Sequence, residues 1–529
     1  MSITAITIEN FKGIKDPVRI ELKPITLLFG PNSAGKSTII QALHYAREIF
    51  EHHNLNADKT MVGGDNLDLG GFENFVHNHE TNQTIRLRFD FRLDSDSADS
   101  FPFLANGFRE ETEESEHFLN FYWTMAEDVL DPWLEVAVRW SSLLGKPIVS
   151  SFKTGFGDRL FAEITASEDG KRLALTYLDL QSPVFIFEEG ENFCLPWFGP
   201  AILDEGKNIL QLNIDGRSAI PGRLDRFPDL QEWHPNGMPD IPIFRELDTF
   251  KALLSSLLLS PVEYIRDQLK LFRYVGPLRK VPERGYSSPL TPSLTRWSDG
   301  LAAWDELNTQ DASFIDKVND WLLSRLNSGY SVELKQYKEV DVTSSFALSI
   351  QQGHYLDEEL NLQQQFASWP IKRRLLLREE SRGIEVAPAD IGVGISQILP
   401  VIVLALAFQH GVLAIEQPEL HIHPALQVAL GDLFIEEINS ENNINGGKIF
   451  LLETHSEHLM LRLLRRIRET GEGETSKDQS LTPAELSIYF IEQGQAGISC
   501  LPIRVGEDGD FIDRWPKGFF AERAGELFS

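Results

Sequence analysis

Residues 25–50 read ITLLFGPNSAGKSTIIQALHYAREIF, and their reading decides the fold. Apolar and β-branched residues run unbroken to Phe29, the pattern of a strand buried on both faces, and the run stops at Gly30. Gly30 to Ser37 then spells G-x-x-x-x-G-K-S, and the next residues read as a helix. This strand, tight loop and helix form the setting in which the motif holds phosphate. Glycines let successive N–H groups converge on the β- and γ-phosphates, Lys36 adds a point charge, and Ser37 offers a hydroxyl to Mg²⁺. The expected nucleotide-binding set is Gly30, Asn32, Ser33, Ala34, Gly35, Lys36, Ser37 and Thr38.

Outward from this stretch, ITAITIE (3–9) and TIRLRFDFRL (84–93) have the composition or alternation of strands, the second half-buried and preceded by the turn-rich VGGDNLDLGGFENF (62–75). Strong patterns return only near the other end. VGISQILPVIVLALAFQ (393–409) reads as a helix, GVLAIEQ (411–417) as a buried strand, and HPALQVALGDLFIEEI (423–438) as a helix. KIFLLETH (448–455) is a second buried strand and EHLMLRLLRRIRE (457–469) another helix. Buried strands separated by helices imply parallel pairing with right-handed crossovers.

The long stretch between is mixed. Helices are expected around 247–272 and 311–326, and strands near 344–351 and 372–378; the acidic run REETEES (109–115) reads as a solvated surface element. Heptads are not sustained, which excludes a long coiled-coil arm. The expected division is 1–95 for the first part of a nucleotide-binding core, 96–380 for an insertion serving dimerisation or effector docking, 381–470 for the rest of the core and 471–529 for a cap.

At 529 residues with 42% hydrophobic composition, the chain exceeds what one core usually holds. The first residues lack a signal-peptide pattern and no long apolar run occurs, so a soluble cytoplasmic protein with no membrane contact is expected. Cys194 and Cys500 are the only cysteines, which argues against disulfides and structural zinc. A net charge of −30 repels nucleic-acid backbones, although it leaves binding of a single nucleotide untouched.

A phosphate loop alone does not separate kinases, GTPases and other nucleotide hydrolases. The second half supplies the rest. Glu416 ends a buried strand, where a carboxylate reaches Mg²⁺, so Ser37 and Glu416 are the expected metal ligands. His455 comes just after the next buried strand, where an imidazole can bond a γ-phosphate. Asp390 to Gln397, DIGVGISQ, opens a helix whose free N–H groups and Ser396 hydroxyl suit an anion.

Together ENFKGIK (9–15), GPNSAGKST (30–38), GVGISQILP (392–400), AIEQPELHIHP (414–424) and ETHSEHL (453–459) resemble the SMC-like ABC ATPases, among them RecF and the ATPase half of OLD-family nucleases. They are most similar to stand-alone ATPases of bacterial phage defence, such as PtuA of Septu and AriA of PARIS systems. YVGPLR (274–279) is the one family-like fragment of the insertion, and GDFIDRWPKGFFAE (509–522) resembles the tail of a family of bacterial ATPases. The resemblance implies an α/β fold: an ABC/SMC-like P-loop NTPase core with a mostly parallel sheet, an antiparallel β lobe and a mixed α/β insertion. It implies ATP and Mg²⁺ as cofactors and a homodimer or higher oligomer in which Gly392, Gly394, Ser396 and Gln397 touch the γ-phosphate in trans. His455 becomes the switch histidine, and Glu416, Gln417, Glu419 and His455 the catalytic group. The Q-loop candidate is Asn74–His77.

One departure is informative. The family's Asp-Glu pair stands here as Glu416-Gln417. An amide orients water but takes no proton, so slow hydrolysis is expected unless Glu419 swings inward to substitute. Two functions compete: a defence ATPase that senses infection, through DNA or a phage component, and restrains a separate effector nuclease, or a repair or chromosome-handling ATPase that clamps DNA directly. The missing coiled coil and the acidic charge favour the first. The residues after His455 read as a helix and a strand pair, so nuclease chemistry is expected from a partner.

Overall fold

The computed structural model describes residues 2–61, 63, 67–92, 131–179, 181–182, 210–212, 218–221, 243–284, 286, 293–344, 347–348, 351, 367–441, 443, 447–495 and 497–516. Its first elements are Ser2–Glu9 (β1), Val18–Glu21 (β2), Ile25–Phe29 (β3), Lys36–Phe50 (α1), Phe72–Phe75 (α2) and Ile85–Arg92 (β4). Pro132–Ser141 (β5), Lys146–Phe156 (β6), Arg159–Ala166 (β7), Leu173–Leu178 (β8) and Leu210–Leu212 (β9) come after them. Next are Ile243–Leu271 (α3), Arg273–Val275 (β10), Leu301–Thr309 (α4), Ala312–Asn319 (α5), Tyr330–Tyr337 (β11), Lys372–Glu379 (β12) and Ile384–Val386 (β13). The chain continues through Val393–Ala407 (α6), Gly411–Glu416 (β14), Pro424–Ile438 (α7), Lys448–Glu453 (β15), Glu457–Gly471 (α8), Leu486–Gly494 (β16) and Gly497–Pro502 (β17).

One sheet has the order β10-β14-β15-β3-β16-β17, parallel except for the β16–β17 hairpin. Strands far apart in sequence meet here because each is a short apolar run that cannot remain wet. Alternate side chains leave on opposite faces, and the two faces feed separate cores. Leu28, Val412, Ala414, Ile449 and Leu451 point into one, with α1 and the Leu258, Val262, Ile265, Leu269 stripe of α3. Leu27, Phe29, Leu413, Ile415, Phe450 and Leu452 point into the other, under α6, α7 and α8. A second, antiparallel sheet, β2-β1-β4-β5-β6-β7-β8-β9, covers α1 from the far side, and β11-β12-β13 form a third.

Two strand pairings cross the expected boundaries. β4 pairs with β5 across the 95/96 boundary, since its alternating apolar face continues on the next strand. β10, inside the expected insertion, is an edge strand of the parallel sheet, its three residues buried beside β14. The strand expected at 344–351 is a correction: the described residues 347, 348 and 351 are helical. The helix expected at 311–326 is α5 continued by a π-type turn over Asp320–Arg325. The acidic run 109–115 lies outside the described residues, as does the tail beyond residue 516. No described helix is long and apolar enough to cross a membrane.

Candidate nucleotide site

β3 delivers the chain to Gly30, whose φ is +153° and where a Cβ would stand 2.1 Å from the Ile491 carbonyl oxygen. Only glycine fits so close to a neighbouring strand. Gly35, at φ +96°, caps α1 without a side-chain bond; its carbonyl accepts from the Thr38 N–H at 3.0 Å, and helix geometry gives the Lys36 and Ser37 N–H groups ahead of it no intrahelical acceptor. Lys36 is buried and its Nζ folds back on the Gly30 and Pro31 carbonyls at 3.1 and 2.9 Å. Burial lowers its pKa, opposed by Glu453, Glu416 and Glu419. Asn32 and Ser33 are exposed at the mouth, while Ala34 and Thr38 pack inward.

Two carboxylates face this loop. Glu416 and Glu453 are register partners at the ends of β14 and β15. The Ser37 hydroxyl donates to Glu453 Oε2 at 2.7 Å, and Lys36 Nζ lies 3.8 Å from Glu453 Oε1. Glu416 Oε1 accepts from the Tyr274 hydroxyl at 3.0 Å. Burial raises both carboxyl pKa values, and the charge of Glu453 raises that of Glu416 further. A hydroxyl beside paired carboxylates is a hard-oxygen donor set that fits Mg²⁺, with phosphate and water completing the shell. Glu453 was absent from the expected ligands, although KIFLLE repeats the signal of GVLAIE, an apolar run closed by an acid.

Gln417 sits at φ +46°, its N–H donating to the Glu453 carbonyl at 2.7 Å. The turn it opens does swing Glu419 inward, but that carboxylate is occupied: Oε1 accepts from the His455 N–H at 2.7 Å and Oε2 from the Thr454 hydroxyl at 2.8 Å. His455 Nε2 is buried without a partner. Burial first and Lys36 second lower the imidazole to about 4, so it is neutral at pH 7 and free to bond a phosphate oxygen.

α6 presents a different face. Gly392 is exposed with open space around it, and Gly394 meets only the His421 carbonyl at 3.5 Å. Ser396 is buried and donates to the Val393 carbonyl at 2.8 Å. Gln397 is also turned inward, its amide bonded to the Arg279 main chain. The glycines are therefore left open, whereas the Ser396 and Gln397 side chains are engaged within their own chain. Arg279, from the YVGPLR fragment, is a further site residue, missed because nothing in its local pattern marks a buried cation. The Q-loop candidate spans the end of α2 and the short helical turn that starts at His77, with Asn74 bonded to the Gly70 carbonyl and His77 Nδ1 2.9 Å from the Lys12 carbonyl oxygen.

The phosphate loop between β3 and α1, the carboxylates at the ends of neighbouring parallel strands and the covering antiparallel sheet together define the architecture. The fold is that of an α/β P-loop nucleotide-binding core. A family model described as an AAA ATPase domain matches residues 1–132 of the chain, and one described as "AAA domain, putative AbiEii toxin, Type IV TA system" matches residues 223–461. Among solved structures, the chain is similar to the SMC head domain from Thermotoga maritima at 8% identity and TM-score 0.35, with 96% of this chain and 100% of that chain covered. The Smc head with an extended coiled coil bound to the C-terminal domain of ScpA, derived from Pyrococcus furiosus, matches at 10% identity and TM-score 0.37, covering 99% and 98%. A SmcHead bound to the C-winged helix domain of ScpA matches at 10% and 0.38, covering 95% and 98%. No match was found among curated proteins.

Proposed function

We propose that this chain is an ATPase that closes on Mg²⁺ and ATP with a second copy of itself, turns over slowly, and acts as a sensor and scaffold controlling a separate effector, a nuclease, in bacterial anti-phage defence. One observation carries the slow-switch reading: Gln417 stands beside an otherwise complete phosphate site, so the set built to hold a triphosphate lacks the carboxylate that would deprotonate water.

Each residue has a task in this reading. The α1 first turn and Lys36 bind the β- and γ-phosphates, and Ser37 with Glu416 and Glu453 would hold Mg²⁺, which neutralises charge on the phosphate oxygens. His455, as a neutral imidazole, donates its N–H to a γ-phosphate oxygen. Gly392 and Gly394 of the opposing copy bring main-chain N–H groups to the same phosphate. With a weak base the closed state outlasts binding, so ATP concentration sets its population.

Direct DNA clamping has less support. The net charge is −30, and three of the four arginines of α8 are already engaged: Arg462 and Arg466 bond Asp432, and Arg465 and Arg466 bond Glu469. The test is molecular mass in solution with and without ATP for wild type, Lys36→Ala and Gly392→Arg. Wild type should double in mass on ATP, Lys36→Ala should not bind nucleotide, and Gly392→Arg should bind it yet stay monomeric. Nucleotide retention by Lys36→Ala equal to wild type would sink the proposal; co-purification with a nuclease encoded nearby tests the effector.

A further inference from the structure

We propose that Glu453 is a second metal-facing carboxylate that makes admission of the triphosphate depend on Mg²⁺; this rests on the nucleotide site proposed above and assigns it a gate. The two carboxylates are not equivalent. Glu416 Oε1 is held from behind by the Tyr274 hydroxyl, 3.0 Å away. Both carboxylates feel Ser37 and Lys36, but Glu453 is the one that takes the Ser37 hydroxyl at 2.7 Å and stands 3.8 Å from Lys36 Nζ. It thus occupies the two side chains of the loop that a bound Mg²⁺-nucleotide needs.

The sign of its effect depends on the metal. Toward a bare triphosphate, Glu453 is a like charge at contact range in a buried pocket, and it also weakens Lys36 by pairing with it. Once a divalent cation lies between them, the same carboxylate is an attraction. Glu416 and Glu453 thus discourage metal-free nucleotide and reward the complex. A purely structural role needs only an acceptor for Ser37, which a glutamine amide oxygen supplies as well as a carboxylate does. Charge, and not hydrogen bonding, is what the proposal invokes.

Titration of the full chain with a fluorescent ATP analogue, once in EDTA and once in Mg²⁺, reads this out without reference to turnover. Glu453→Gln should bind the metal-free analogue about tenfold tighter than wild type and the Mg²⁺ complex more weakly, so that the affinity ratio between the two conditions collapses. Glu453→Asp keeps the charge but draws it back from Ser37; metal-free binding should stay weak while Mg²⁺-dependent binding falls several-fold. Wild-type ratios in Glu453→Gln, or equal losses in both conditions, would overturn the gate. Should Glu453→Gln fail to fold, unchanged Mg²⁺-dependent binding in Glu453→Asp overturns it by itself. Absence of binding by wild type in Mg²⁺ would instead refute the nucleotide site on which the gate depends.

Discussion

Gln397 Nε2 donates to the Arg279 carbonyl at 2.8 Å while the Arg279 N–H donates to Gln397 Oε1 at 3.2 Å, so a side-chain amide pairs with a main-chain segment as a neighbouring strand would. The guanidinium completes the joint, donating to the Gln397 carbonyl at 3.0 Å, the Glu416 carbonyl at 2.8 Å and the Gln417 carbonyl at 3.2 Å. Arg279 therefore rivets the start of α6 to the end of β14, the strand that carries Glu416. Burial draws its pKa down to about 10, which still leaves it charged at neutral pH.

A lysine cannot reproduce that fork. Arg279→Lys leaves at least one buried carbonyl without a donor, at a cost of about 1–3 kcal/mol in urea denaturation. Gln397→Ala removes the amide but keeps the guanidinium and should cost less. If both variants unfold at the wild-type midpoint, the joint is not structural.

A histidine inside the core sets an acid limit. His44 of α1 is buried between Phe272 and Tyr274, ring centroids 4.8 and 4.9 Å away, with neither ring nitrogen bonded. Burial, then Arg47, lowers its pKa to about 3 from an ordinary 6.5. The folded form therefore binds fewer protons than the unfolded one, and stability falls as pH drops below 6.5. Between pH 7 and 5 the loss attributable to His44 is about 2 kcal/mol. His44→Phe keeps the aromatic packing and should flatten this slope by that amount; an unchanged slope would assign the acid sensitivity elsewhere.

The two glycine classes separate cleanly. Gly30→Ala must push Cβ against the Ile491 carbonyl from a left-handed backbone, and should lose about 2 kcal/mol or more together with nucleotide binding. Gly392→Ala, at φ −61° in open space, should be neutral or stabilise by about 0.4–1 kcal/mol in the isolated chain. Paired denaturation curves decide both, and similar losses would mean that local geometry is not what limits substitution.

Legibility tracks the range of the interaction. The phosphate loop is readable because strand, glycines and helix start are contiguous, and β14 and β15 because six buried residues in a row leave few alternatives. Glu453 is readable in principle, since it ends an apolar run as Glu416 does, but the neighbouring His455 is the more conspicuous residue and masks it. Arg279 and Tyr274 are not readable as site residues. Their partners lie more than a hundred positions away, and only the pairing of β10 with β14 brings them to Glu416. The expected strand at 344–351 fails for the opposite reason: local alternation there is not backed by a neighbouring strand among the described residues.

Glu419 decides between two accounts of turnover. As a general base its loss would reduce hydrolysis by about 10²- to 10⁴-fold and leave nucleotide affinity intact. Its geometry indicates another role, because both carboxylate oxygens accept bonds from the Thr454–His455 turn, and a glutamine would set its NH₂ against one of those donors. Glu419→Gln should therefore loosen His455, lowering affinity and turnover together and by less than about 10²-fold. Thr454→Val removes one of the two bonds and should give a smaller effect of the same kind. Gln417→Glu, which places a carboxylate where the amide stands, should raise the rate of phosphate release. A large rate loss in Glu419→Gln at unchanged affinity, together with no gain in Gln417→Glu, would make Glu419 the base and end the latch account.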